Sequence, residues 1–411
     1  MHLSAEEQDM LAGGCGEAAR WGIGYQLEVG RFFGAERLVP VRSAHIHCDG
    51  EALGEPGVAF LERWAAEGAR VGIPLTLDPR SADSARARQI GQHQAIVDTE
   101  ARIVAALRAM GAVPTNTCIN YQTVDVPHFG ERLAWGDTGS VIYANSVAGA
   151  RSNFEGGPAA LAAALTGRTA EYGFHLDSHR TGTLLVRVED QPRESSDWGA
   201  LGCLVGRAFT GYSEVPVFDG VVENPTPDEL KHLGAALASY GSHAMFHMVG
   251  VTPEARTRAE AFDGTVPERE LVVDPGALAR QYASFPAEKA NPDLIVFGTP
   301  QLSLFEFKEI AEGLAGREVR TTVYLTTSAQ VKAAADEYGY GGLVRASGAL
   351  VLTGVCFYLM TARELARRND YRTLLTNSAK LANTIAGYGY NPVFRSTEDC
   401  LKAAVTGSID R

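Results

Sequence analysis

The sequence predicts an α/β protein of alternating strands and helices, and three stretches carry that prediction. In the last third, the apolar run DLIVFG (293–298) leads through TPQLS into a helical stretch around 303–313. TTVYLTTS (321–328) starts a second cycle: its β-branched residues and Tyr favour a strand, and Ser328 or Thr327 caps a helix carrying Val331, Ala334, Ala335 and Tyr338 at helical spacing. That spacing is the period of a βαβ unit, whose strands run parallel. The third stretch is a helix from Thr226 to Tyr240. Thr226 caps it, Pro227 sits in the first turn, Glu229 completes a capping box, Leu230, Leu233 and Leu237 share a face, and Gly241 ends it.

The remaining elements agree with layered α/β packing. The N-terminus, MHLSAEEQDML, reads as a helix start with Ser4 as cap and Glu7 closing the box, and it carries no secretion signal. PAALAAALTG forms an apolar helix between Pro158 and Gly167. The run GALVLTGVCFYLM (348–360) is shorter than the ~20 residues a membrane span needs and reads as buried core. A chain of 411 residues, 45% of them hydrophobic, is long enough for two or three packed lobes. No repeat, low-complexity tract or Pro-rich linker separates them, so the lobes interleave; working bounds are 1–125, 126–290 and 291–411.

Composition narrows the function. A formal charge of -12, with Lys and Arg scattered, gives no footprint for nucleic acid, and no membrane partner is expected. The six cysteines (15, 48, 118, 203, 356 and 400) form no C-x-x-C pair, which argues against a zinc ribbon or a disulfide framework and for a reducing cytoplasm. No phosphate loop and no G-x-S-x-G elbow appears. His175 and His179, like His243 and His247, lie four apart, the spacing of one helix face, but FHLDSH lacks the Glu of a zinc signature and AHIHC alternates as a strand does. Structural, hydrogen-bonding histidines are expected.

Between 114 and 180 the chain turns polar and glycine-rich: PTNTCINYQ, LAWGDTGSVIYANSVAGARSNFEGGP and YGFHLDSHR. Asn145, Ser146, Arg151, Ser152, Asn153 and Glu155 crowd around glycine turns and offer donors suited to a carboxylate. The same composition also describes an ordinary polar loop capping the helix that begins at Pro158.

The segment YANSVAGARSNFEGGPAALAAALTGRTAEYGFHLDSHR resembles the large, catalytic subunit of aconitase X, a divergent branch of the aconitase superfamily. LSAEEQDMLAGGCGEAARW, GAERLVPVRSAHI, MGAVPTNTC, SHAMFHMVGVTPEA and TNSAK extend the likeness over nearly the whole chain. The resemblance implies an aconitase-like α/β core of several interleaved lobes, a separate small swivelling subunit as partner, and a hydro-lyase acting on a small hydroxylated carboxylic acid. The family's substrates include cis-3-hydroxy-L-proline and a phosphomevalonate. It assigns Arg151, Ser152 and Asn153 to substrate carboxylate binding, Asn145 and Ser146 to the same pocket with Ser146 as a catalytic candidate, and Lys380 as proton donor or second anion contact beside Asn377 and Ser378. The catalytic base of aconitases lies on the swivelling part.

Three cysteines hold an iron–sulfur cluster in that family, and Cys118 and Cys356 match two of them. The third position reads Gly298-Thr299-Pro300-Gln301, so Thr299 replaces the cysteine and Gln301 the histidine after it. Ile119, Asn120, Phe154 and Tyr240 also depart from the family's usual residues. Two accounts remain open: a cluster with another third ligand, such as a histidine, or no cluster and an elimination or isomerisation run by side chains or a simpler metal site. A non-catalytic acid-binding or scaffold protein is the alternative from a different class.

Overall fold

Three parallel sheets organise the chain in a computed structural model that describes residues 1–409. The first joins Leu75–Leu77, Ala44–Ile46 and Ala134–Trp135, and so draws on residues on both sides of position 125. The second has the order His247–Met248, Pro216–Asp219, Leu184–Val188, Glu270–Val273. The third, of five strands, has the order Leu350–Thr353, Thr322–Thr327, Leu294–Leu302, Thr373–Thr376, Asn391–Phe394. A short antiparallel ribbon pairs Leu38–Pro40 with Arg168–Ala170. All nine residues of Leu294–Leu302 are buried, as a central parallel strand covered on both faces requires.

The local capping signals hold except at Gly241, which the helix Pro227–Gly241 includes before a left-handed cap at Ser242 (φ 59°). Ser4, with Glu7, and Thr226, with Glu229, form complete capping boxes; Ser303 and Ser328 cap Leu304–Leu314 and Ala329–Glu337. Gly167, at φ 68°, ends the helix Gly157–Thr166. Helices Ser195–Ala208 and Pro227–Gly241 pack so closely that a Cβ on Gly202 would lie 2.6 Å from the Leu233 carbonyl oxygen, which fixes glycine there. The histidine pairs do not share helix faces: His175 and His179 sit in two short 3-10 turns, and His247 in the strand His247–Met248. The first and third sheets are tied by Arg80 N–H to Gly354 O (3.0 Å) and Thr353 N–H to Asp83 Oδ2 (2.9 Å). Among the described residues, no helix is long and apolar enough to cross a membrane.

Candidate active site

Parallel strands end side by side, so the loops that follow them share one edge, where open α/β sheets place their ligands. After its three strands the first sheet delivers His47 and Asp49, Asp78, and Asp137. The third delivers Thr299 to Gln301 from the irregular end of its central strand Leu294–Leu302, and Cys356, Asn377, Ser378 and Lys380 from beyond the ends of their strands. The two edges meet: Lys380 Nζ lies 3.7 Å from Asp137 Oδ1, and the Gln301 N–H points at Cys118 Sγ from 3.3 Å.

Cys118, Thr299 and Cys356 therefore come together, across 57 residues for the Thr299–Cys356 pair, with Oγ1 and Sγ 3.2 Å apart. Thr299 adopts φ 65°, a left-handed backbone unusual for a β-branched residue, of the kind that concentrates at functional sites. Its carbonyl accepts the Ser378 hydroxyl hydrogen, and Ser378 also caps the helix that carries Lys380. The Gln301 side-chain amide donates to Asn116 O (3.2 Å) and Val355 O (3.1 Å), drawing together the backbones that lead into the two cysteines. A hydrogen bond with Cys356, together with burial, pushes the Cys118 thiol well above its usual range.

Lys380 is 5% exposed. Burial opposes its charge, but Asp137, then the two cysteines and Asp78, outweigh that and raise its pKa above 10.5. Asn377 donates to Thr397 Oγ1 (3.1 Å), and its buried Oδ1 has no partner. Beside them His47 is held between Asp78 (Nδ1, 2.5 Å) and Asp49 (Nε2, 3.1 Å). Burial works against the imidazolium, yet the two carboxylates raise it to about 11, so it is a fixed cation at neutral pH. The half-buried Tyr358 phenol, two residues after Cys356, is pushed far up, first by burial and then by Cys356, Asp137, Asp78 and Cys118. Sequence reasoning had not assigned His47, Asp49, Asp78, Asp137 or Tyr358. The available signal was an Asp two residues after His47 near a strand end, and a second, Asp78, directly after the strand Leu75–Leu77.

The polar loop goes elsewhere. Asn145 Nδ2 donates to Ser152 O and Ala244 O, both at 2.9 Å, and its Oδ1 accepts the Ser152 N–H at 2.9 Å. Ser146 Oγ accepts the Phe246 N–H (2.9 Å). Ser152 Oγ accepts the Trp135 N–H and donates to Asn153 O. Asn153 donates to Tyr172 O and accepts from the Phe174 N–H and the Tyr212 hydroxyl. Arg151 is spent on His175 O and on an ion pair with Asp177. Residues 151–155 run alongside 132–135, with Arg151 paired to Arg132 ahead of the strand Ala134–Trp135 and Glu155 N–H bonded to Trp135 O at its end, so Arg151 lies away from Asp137. Asn145 lies eight residues along the helix capped by Asp137, or about 12 Å at 1.5 Å per residue. The structure thus brings Cys118, Thr299, Cys356, Asn377, Ser378 and Lys380 together and sets the Asn145–Asn153 side chains apart as internal ties.

The donor set does not fit a three-thiolate cluster. Thr299 offers a hydroxyl and no thiolate, Gln301 offers an amide, the Gln301 N–H already points at Cys118 Sγ, and Thr299 Oγ1 lies within hydrogen-bond distance of Cys356 Sγ. Among the described residues, no group of three or more His, Cys, Asp or Glu is arranged to hold a metal ion.

Models of the aconitase X first, second and third domains match residues 1–178, 182–283 and 292–406. The phosphomevalonate dehydratase large subunit of Methanothermobacter thermautotrophicus is 37% identical over 390 residues, covering 94% of each chain. The cis-3-hydroxy-L-proline dehydratase of Pseudomonas aeruginosa is 36% identical over 411 residues, covering 98% of this chain and 70% of that one. The crystal structure of Thermococcus kodakaraensis aconitase X in its holo-form superposes with a TM-score of 0.88 at 32% identity, covering 98% of this chain and 100% of that one. With all three domains matched in order and full-length relatives above 30% identity, the chain belongs to the aconitase X family.

Proposed function

We propose that this chain is the catalytic chain of a hydro-lyase that dehydrates a small hydroxylated carboxylic acid of the hydroxyproline type, without a three-thiolate cluster and together with a separate small swivelling subunit. Dehydration removes a proton beside a carboxylate, holds the enolate-like charge, and protonates the departing hydroxide. The observation that carries the reading is the buried Lys380 ammonium, facing Asp137 at the edge where the two sheets meet. A cation in a water-poor site stabilises developing negative charge far better than one in solvent. Lys380 is the anion contact and a proton donor to the leaving oxygen; His47 adds a second fixed positive charge; Ser378 positions the Thr299 backbone and the Lys380 helix. Elimination without a Lewis acid is feasible where the proton removed is already acidified and a positioned base is present. That base is assigned to the partner, in keeping with relatives named as large subunits.

The test is turnover of cis-3-hydroxy-L-proline by the chain purified anaerobically with its small subunit, read as loss of one water by mass spectrometry, beside iron and sulfide quantification. Turnover by the pair, none by either chain alone, and iron and sulfide far below stoichiometry is the expected result. Full turnover by the 411-residue chain alone would remove the partner from the proposal. Stoichiometric iron and sulfide with visible charge-transfer bands would restore the cluster. Saturable acid binding with no turnover would favour the non-catalytic reading.

A further inference from the structure

A cavity of about 750 Å³ opens where the three matched domains meet, and the proposed dehydration makes no use of it. Ile119, Tyr121 and Tyr143 come from the first domain, Thr226 and Pro227 from the second, and Phe305 from the third. Its volume is that of a small-molecule site, and domain junctions are where such sites concentrate. Tyr121 and Tyr143 stack with centroids 4.1 Å apart, and Phe305, 77% exposed, stands at the mouth. Tyr121 is 3% exposed, yet its hydroxyl has no hydrogen-bond partner.

The charges select the ligand. Lys231, the cation beneath the cavity, is consumed by Glu306 and Asp228, and its side chain is fully buried. Asp228 also accepts from Gln122 (3.2 Å) and Ser303 (2.6 Å), and Glu306 bonds His232 at 2.6 Å. At both neighbouring helix ends a carboxylate already sits in the first turn, Glu229 behind Thr226 and Glu306 behind Ser303, so each end carries its own negative charge. Glu309 remains, lining the cavity with no cation bonded to it among the described residues; burial and then Glu306 push its carboxyl upward. The accessible field is negative and the walls are aromatic.

We propose that this cavity binds a small organic ammonium, its aromatic or aliphatic body against Tyr143 and Phe305 and its charge at Glu309. A cation over an aromatic face is attracted by the ring, the more so as water is excluded. The site adjoins the thiol pair through two short links: Ile119 follows Cys118 in sequence, and Lys231 donates to Gln301 O (3.3 Å), whose N–H points at Cys118 Sγ.

Isothermal titration of the full chain with phenethylammonium tests this, with phenylacetate as the anionic control and a parallel titration of the chain saturated with its small subunit. Saturable binding of the cation alone is expected, weakened about tenfold by Glu309→Gln and again by Phe305→Ala. Both positions are at the surface, so the two variants check each other's folding by circular dichroism. No saturable binding, equal binding of the anion, or unchanged affinity in both variants would overturn the proposal. So would loss of binding when the small subunit is added, which would assign the cavity to the subunit interface. None of these readouts depends on turnover, so the dehydratase reading stands or falls separately.

Discussion

The edge that gathers Cys118, Thr299, Cys356 and Lys380 and the loop from Asn145 to Asn153 are both polar and both buried, yet they use their polar groups in opposite ways. In the loop, amides and hydroxyls are returned to the fold: Asn145 alone makes three hydrogen bonds, holding 152 and 244 to the helix it sits on. At the edge, charge is concentrated beyond what the fold needs. A lysine 5% exposed faces one carboxylate at 3.7 Å, a histidine is clamped by two more, and Asn377 keeps an unmet acceptor. Groups whose pKa values are driven upward by specific neighbours in a buried cleft mark chemistry; groups satisfied by backbone mark architecture.

The widest break in this comparison comes from Lys380→Met. Removing the ammonium while keeping the side chain's bulk is expected to lower kcat of the two-subunit enzyme about 10²- to 10³-fold, the range seen for loss of one electrostatic stabiliser. Circular dichroism checks the fold, and a loss under threefold would detach Lys380 from the reaction. Asn145→Ala is expected to do the reverse. Losing three buried hydrogen bonds costs about 3–4 kcal/mol of stability, read from denaturant midpoints, while kcat of the folded protein stays within about threefold. A large kcat defect with intact stability would move the loop into the active site.

What could be read from the sequence divides along the same line. Caps and strand–helix alternation are local, so Ser4, Thr226, Ser303, Ser328 and the strands near 293 and 321 were legible in short windows. Cys118, Thr299, Cys356 and Lys380 were legible only through family resemblance, because nothing local brings residues so far apart in the chain into contact. The Asp78 clamp depends on the parallel register that sets His45 opposite Thr76 and Ile46 opposite Leu77, which no single window contains. Tyr358 was hidden inside an apolar run read as core, which most of that run is. The loop was open to two readings for a physical reason: Asn, Ser and Gly serve a ligand and a buried turn equally well, and its hydrogen-bond partners here are those of a buried turn.

Glu155 sharpens the contrast by the smallest expected margin, because it is the one side chain of 145–155 with a buried oxygen left unpaired. Its Oε1 accepts the Thr169 hydroxyl at 2.9 Å, while Oε2 meets nothing. Burial raises its pKa from 4.5 to about 7, only partly offset by Thr169. Between those values the folded chain holds a proton that the unfolded chain has released, so this residue's contribution to stability falls as pH rises through that window and is constant above it. The full swing corresponds to about 3 kcal/mol. Glu155→Gln keeps an acceptor for Thr169 and removes the titration. The variant should match the parent near pH 4.5 and exceed it in stability by up to about 3 kcal/mol at pH 8, read from denaturant midpoints across the series. Parallel pH profiles for parent and variant would mean that Glu155 is ionised in the fold, which would give the loop an uncompensated charge and move it towards the active-site side of the comparison.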